Sequence, residues 1–314
     1  MRNLRRLALL PAAMLVLAAC QNTGAGSTSQ SASASTSSSA EASESQAADV
    51  KPCESEGIDG LLAQVCAAGK IVVSTDPAYP PQSFLNEETG EYEGFDIDVA
   101  AAIAERLGVE VEFTDPTFDA VVAGNWSGRW DMSVGSVTVT EERSQVLDFT
   151  QPYYFTPAQF AVLEDSSYQS VDELAGKVIC AGESTTYVFW VEGTLTLGEG
   201  APEPAPVPEG MTATTFPTDI DCAESWRGGR TDFEAWLTAL PTAQDAIDSG
   251  NYAIRLLGDP VFYEPLAVAF DKAAEDNDSL LAAVDQIVGE MHEDGTLTEL
   301  SEKWYEGLDY STEQ

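Results

Sequence analysis

From Lys70 onward, hydrophobic and polar positions alternate between two rhythms. "KIVVST" (70–75) is a short β-branched run. "FDIDVAAAIAERLG" (95–108) follows, with Ile97, Ala100, Ala101, Ala104 and Leu107 at helical spacing and Gly108 as its stop. "VEVEF" alternates as a strand, "FDAVVAGNWSGRW" reads as a helix and turn, and "DMSVGSVTV" as a strand entering a loop. This β-α-β-α order predicts an α/β domain with a largely parallel sheet.

The rhythm breaks at "FTQPYYFTPAQFAVLED", which holds two prolines and then runs β-like, as a crossing into a second lobe would. That lobe opens with "VDELAGKVICAG", a short helix, a turn at Gly176 and a strand. Residues 198 to 221 are expected to be irregular, with the Pro-rich "EGAPEPAPVPEG" an exposed insertion. "RLLGDPVFYEPLAVAF" is a return crossing. The C-terminal part carries one helix with Leu280, Leu281, Val284, Ile287, Val288 and Met291 on a face, and a shorter one with Leu297, Leu300 and Trp304. Two crossings between two α/β lobes imply a hinge beside a cleft, a favoured place for ligands. The expected division is 51–157 for the first part of lobe 1, 158–264 for lobe 2 and 265–314 for the remainder of lobe 1.

Composition narrows the function. The chain has 14 Lys and Arg against 53 Asp and Glu, a net charge of -39. Such a surface repels phosphate backbones, so nucleic-acid binding is excluded from the expected functions. Three of the scarce cations, Arg2, Arg5 and Arg6, precede the apolar run Leu7–Leu17, and Ala18 and Ala19 precede Cys20. Residues 1–19 read as a secretory leader. Ala-Ala-Cys resembles a bacterial lipobox, in which Cys20 receives lipid and becomes the mature N-terminus. Residues 20–50, almost all Ser, Ala, Thr and Gly at their start, cannot bury enough apolar surface to fold and read as a tether. The remaining Cys53, Cys66, Cys180 and Cys222 are even in number in an exported chain. Proximity favours Cys53–Cys66 and Cys180–Cys222 among the three possible connectivities. With His292 the single histidine and no ligand spacing for zinc, neither a metal nor a cofactor is expected.

Candidate chemistry concentrates in "GSVTVTEER" (135–143), a loop after a predicted parallel strand, where open α/β sheets bind ligands. Thr138 and Thr140 offer hydroxyls, and Arg143 offers a planar fork suited to a carboxylate. The rival reading pairs Arg143 with Glu141, Glu142 or Asp148 on the surface, as ion pairs commonly do. Spacing alone leaves the two even.

"STDPAYPPQSF", "GFDIDVAAAIAERLGVEVEF", "TVTEER", "LDFTQPYY", "DELAGKVI" and "DGTLTELSEKWYEG" occur in this order and at suitable distances. Together they resemble the extracellular solute-binding proteins of polar amino acid ABC importers, from about Lys70 to Gly307 apart from the insertion. The resemblance implies a type II periplasmic-binding-protein fold, two α/β lobes joined by a two-strand hinge that close around one ligand. It implies that Arg143, in the T-x-T-x-x-R motif, clamps the ligand carboxylate, with Thr138 and Ser136 ahead of it. It places Asp76, Tyr79 and the aromatic cap Phe118 in the cleft, and Thr185 and Thr186 in a second-lobe turn, where the usual Gly gives way to Ser184.

One departure concerns the ligand's ammonium. The family's aspartate two residues before a second-lobe proline falls on Ala239 in "LTALP", after Thr238. Asp76, Glu183 or Glu234 could supply the counter-charge, Asp76 first among them. The reading is a monomeric, lipid-anchored extracytoplasmic protein that binds a small polar ligand and performs no chemistry. Its partners would be an ABC permease and, through Cys20, the membrane. A dehydratase-like enzyme on the same fold and an accessory that presents ligand to a sensor are the alternatives.

Overall fold

The computed structural model describes residues 51–198 and 200–313. The leader, Cys20 and the Ser-rich tether lie outside the described residues.

The first lobe begins with α1 (Gly60–Ala68), β1 (Lys70–Ser74) and the small hairpin strands β2 (Ala78–Tyr79), β3 (Ser83–Leu85) and β4 (Tyr92–Glu93). Helix α2 (Phe95–Leu107) follows and carries Asp96 and Asp98 in its first turn and Arg106 in its last, matching the helix dipole. It stops at Gly108, whose φ of 90° suits glycine and turns its N–H onto the Ala104 and Glu105 carbonyls. Strand β5 (Glu110–Thr114), helix α3 (Phe118–Val122) and the wholly buried strand β6 (Met132–Thr138) complete this run. β1 lies between β5 and β6 and is parallel to both.

The long strand β7 (Leu147–Leu163) leads to the second lobe: β8 (Val178–Gly182), α4 (Thr186–Val191), β9 (Thr212–Phe216), α5 (Asp221–Arg227), β10 (Ala235–Ala239) and α6 (Leu240–Asp248). Here β8 lies between β10 and β9, parallel to both. Strand β11 (Ile254–Asp271) returns, and α7 (Asp278–Glu293) and α8 (Thr296–Trp304) pack on the first lobe. The expectation of irregular chain over 198–221 fails at "TATTF". Its β-branched residues extend the sheet edge beside β8, while the Pro-rich part before it and the turn 217–220 after it lack regular structure.

The sheet order β5-β1-β6-β11-β7-β10-β8-β9 shows how the lobes join. β7 and β11 run antiparallel to each other through both halves, and β11 slips register between Leu257 and Phe262 and again near Ala267. Gln159 satisfies that first irregularity by donating to the Leu257 and Gly258 carbonyls at 2.9 and 3.0 Å.

Each lobe has its own apolar core. Ile71, Val73, Ile103, Leu107, Phe270 and Val288 belong to the first, and Phe160, Ile179, Trp190, Leu237 and Phe262 to the second. Burying such a side chain contributes about 1.5–3 kcal/mol. Cys180–Cys222 joins β8 to α5, and Cys53–Cys66 pins the entry segment to α1. Among the described residues no helix is long and apolar enough to cross a membrane.

Candidate functional site

Parallel strands put their carboxyl ends on one edge, so each lobe feeds its loops into the same cleft. From the first lobe come the turn after β1 with Asp76 and Tyr79, Phe118 at the start of α3, and the end of β6 with Ser136 and Thr138. From the second come the turn after β8 with Glu183, Thr185, Thr186 and Tyr187, and the turn after β9 with Thr218 and Asp219. Glu264 enters from the hinge strand β11. These groups and Arg143 surround a cavity of about 40 Å³.

Arg143 opens a single 3-10 turn, Arg143–Gln145, whose first N–H donates to Thr140 Oγ1 at 3.1 Å. The turn sends the side chain inward while Glu141 and Glu142 stay exposed. Asp148 is occupied by Lys272 at 3.2 Å. The surface ion pair considered from sequence is therefore not formed. Arg143 is 3% exposed, with its guanidinium carbon 5.2 Å from the centre of the Phe118 ring. One terminal nitrogen donates to the Thr138 carbonyl at 3.0 Å, and the other reaches across the cleft to the Ser184 carbonyl at 3.0 Å. Its buried Nε has no partner. Burial pulls the guanidinium down to about 10, opposed by the nearby Glu264 carboxylate.

Ser184 is what makes the cross-cleft bond available. Its φ of 60° lies in the left-handed region, a conformation that costs a non-glycine residue roughly 1–2 kcal/mol. That is the position at which the sequence departs from glycine. Ser136, at the end of β6, has a similar φ of 57°. Its hydroxyl donates to Asp96 at 2.7 Å and meets the Tyr154 hydroxyl, so this cavity-lining residue is anchored into the first lobe by its side chain.

Glu264 was not anticipated. Thr138 donates to its Oε1 at 2.8 Å, Thr186 donates to the same oxygen, and Tyr187 donates to Oε2 at 2.7 Å. The hydroxyls of Thr138 and Thr186, expected from the resemblance to face a ligand carboxylate, thus hold a carboxylate of the chain itself. Burial pushes the Glu264 carboxyl up, against the opposing pull of its hydroxyl donors and Arg143. The Tyr187 hydroxyl also meets that of Tyr79 at 3.1 Å, another contact between the lobes.

Asp219 was missed too. It accepts from Gly182 N at 3.0 Å, from Trp236 Nε1 at 3.3 Å and from the Thr238 hydroxyl. Burial pushes it up to about 7 despite these donors. Thr238 itself is buried behind the cavity, with Ala239 also buried beside it, so the strand end that lacks an aspartate is reached by one from the neighbouring turn. Asp76 is half-buried, accepts from Ala78 N at 2.8 Å and is also raised by burial. Thr185 turns its hydroxyl onto the Gly182 carbonyl at 2.8 Å, and Glu183 is an exposed part of the rim. Glu234 lies away from the cavity, accepting from Val178 N at 3.1 Å. A signal for Asp219 existed in "TATTF", since recognising that strand puts position 219 at its carboxyl end. Glu264 is one of three acids on the crossing strand β11, with Asp259 and Asp271, and nothing in the sequence singles it out.

Residues 71–307 match the model of the bacterial extracellular solute-binding proteins, family 3. The chain belongs to that family. The L-cystine-binding protein TcyJ of Escherichia coli (strain K12) is 30% identical over 249 residues, which cover 79% of this chain and 86% of that protein. The probable amino-acid-binding protein YxeM of Bacillus subtilis (strain 168) is 28% identical, over 74% of this chain and 83% of its own. Among solved structures, an ancestral arginine-binding protein bound to arginine is 29% identical with a TM-score of 0.64, over 76% of this chain and 98% of that one. This family 3 protein accordingly has the type II periplasmic-binding-protein fold. Its curated relatives named here are binding proteins, and solute binding is the function the family carries.

Proposed function

We propose that this family 3 protein is a lipid-anchored extracytoplasmic receptor that captures an amino acid and delivers it to an ABC importer, acting as a monomer and without catalysis. The observation that carries the reading is the buried Arg143, which lines the cavity and is held in place by two backbone carbonyls while its buried Nε has no acceptor. An unpaired buried donor is costly, and a ligand carboxylate would satisfy it. Thr138, Ser136, Asp76, Tyr79, Phe118, Thr185 and Thr186 line the same cavity and would complete the site, with Glu183 at its rim. The present space of about 40 Å³ is small beside typical ligand pockets of roughly 300–1,000 Å³. A ligand would enter with the lobes further apart and bring them together on binding, bending β7 and β11.

The relatives support an amino acid as ligand class. TcyJ is named for cystine, and the E. coli ABC transporter arginine-binding protein 1 for arginine. Calorimetric titration of the full-length chain in detergent with a panel of polar amino acids tests the reading. One saturable site and unchanged ligand on recovery are expected; release of a chemically altered product would instead favour an enzyme. For the anchor, Cys20→Ser should move the protein from the membrane fraction to the soluble one, and an unchanged distribution would remove the lipid from the proposal.

A further inference from the structure

Besides the chain crossings β7 and β11, the lobes meet along a third line made of main-chain hydrogen bonds. The loop after β6 and the chain after α4 form an isolated antiparallel bridge, with Thr140 opposite Leu197. Glu141 N donates to the Thr196 carbonyl at 3.0 Å, and Gly198 N donates to the Val139 carbonyl at 3.1 Å. Each side is fixed in its own lobe. On the first, Val139 N donates to the Pro265 carbonyl at 2.9 Å. On the second, Thr194 N and Leu195 N donate to the Phe189 carbonyl at 2.8 and 3.1 Å, and Leu197 is buried in that lobe's core. Downstream, Ala205 ties the Pro-rich segment down. Its N–H donates to the Val261 carbonyl at 2.7 Å, and its carbonyl accepts from Trp190 Nε1 at 2.9 Å.

Thr140 is also the residue on which the Arg143 turn rests. Its hydroxyl accepts from Arg143 N at 3.1 Å. Its carbonyl accepts from Ser144 N at 3.0 Å and from the Ser144 hydroxyl at 2.7 Å. We infer that segment 196–198 is a clasp, which forms as the lobes close and, by fixing Thr140, positions the turn that carries Arg143. Its bonds join main chain to main chain, so they do not depend on which ligand fills the cleft. A hinge of two strands can bend, but when the lobes part these bonds must part with them and give their N–H groups to water. The Arg143 bond to the Ser184 carbonyl crosses the same cleft, so clasp and arginine engage together. The inference extends the reading of the protein as an amino acid receptor, because a turn already set on closure costs a ligand less ordering than a loose one.

Glu141→Pro removes one N–H of the clasp, and the control Glu141→Ala keeps it. Proline suits the position, since Thr140 before it already pairs as a strand residue. Gly198→Val is a second disruption, because a Cβ at 198 would lie 3.1 Å from Val139 Cγ1 and push the two segments apart. Hydrogen exchange of the full-length, ligand-free chain in detergent reads the clasp without any ligand. The amides of Gly198, Arg143 and Ser144 should exchange about fivefold faster in Glu141→Pro than in Glu141→Ala, the scale of one lost hydrogen bond, with β1 and β8 unchanged. Gly198→Val should speed Glu141, Arg143 and Ser144 alike. Calorimetry with L-cystine, L-arginine and L-glutamine should show binding about fivefold weaker in the proline variant and unchanged in the alanine one. Equal exchange in the proline and alanine variants would overturn the clasp. So would a wild-type Gly198 amide that exchanges as fast as an unstructured one, even if both disruptions misfold. Faster exchange with unchanged affinity would overturn the positioning of Arg143. If none of the three amino acids binds, the receptor reading and the positioning fail together, and the exchange still decides the clasp.

Discussion

The two walls of the cleft are built by different means. In the first lobe, one strand end and one helical turn bring Ser136, Thr138 and Arg143 into place within eight residues of sequence, and the turn after β1 adds Asp76 and Tyr79. In the second lobe, Thr186 and Asp219 are far apart in sequence, separated by the Pro-rich segment, and meet only because β8 and β9 end side by side. The first wall contributes the cation, and the second contributes the buried carboxylate without a counter-charge. A wall encoded in one contiguous motif is stable in its local geometry. A wall assembled across an insertion depends on the covalent and sheet contacts that hold its parts together.

The largest effect should therefore come from breaking the second wall's staple. Cys180–Cys222 closes a separation of 42 residues and Cys53–Cys66 one of 13. Chain entropy gives about 4 kcal/mol for the former and about 3 kcal/mol for the latter. Denaturant unfolding of the two double Cys→Ser variants should rank them in that order. The reverse ranking would show that the entry segment, and not the second lobe, limits stability.

Next comes the first wall's cation. Arg143→Ala should weaken amino acid binding by about 3 kcal/mol, since it removes the fork and leaves the ligand's anion buried without a partner. Calorimetry giving wild-type affinity would end the assignment of Arg143 as the carboxylate clamp.

Asp76→Asn sharpens the comparison by asking which wall reads the ammonium. It should weaken an amino acid by about 2 kcal/mol, a typical loss for a hydrogen bond to a charged group, and its deaminated analogue by less. Equal losses for the two ligands would leave the ammonium to Asp219 alone.

The smallest effect is a slope. Asp219 titrates near 7 in the folded chain and near the ordinary carboxylate value when unfolded, so between those values the folded form holds the extra proton. Stability then falls as pH rises through that window, by at most about 1.4 kcal/mol per pH unit from this group. Tyr79, Tyr187 and Glu264 face the same carboxylate. Asp96, pushed up to about 7 inside the first lobe, adds a slope of the same sign. Melting curves from pH 4 to 8 should flatten in Asp219→Asn but retain the Asp96 part. An unchanged slope would mean that Asp219 is charged throughout.

The sequence revealed the alternation of elements because helices such as α2 bury a face at regular spacing and end at a clear glycine stop. It also revealed the first wall, whose residues share one motif. Direction was harder to read. Nothing in "TVTEER" distinguishes an inward Arg143 from one paired to its neighbouring glutamates, since that depends on the 3-10 turn and on Asp148 being taken by Lys272. The second wall was least legible, because the prolines at 202 to 208 mask the strand that delivers Asp219. Glu264 could not be placed from sequence, since the register of β11 against β6 and β7 determines which way it faces.

Glu264 has a consequence best expressed as competition. Its carboxylate is tethered to the hydroxyls of Thr138, Thr186 and Tyr187 by the hinge strand itself. A tethered group acts at an effective concentration on the order of millimolar or more. A free carboxylate at micromolar concentration meets a rival that never diffuses away, and mass action keeps those hydroxyls with the chain. What the chain leaves to a ligand anion is the Arg143 guanidinium, whose buried Nε has no partner. The hinge thus narrows the grip on a ligand's negative end to a single fork.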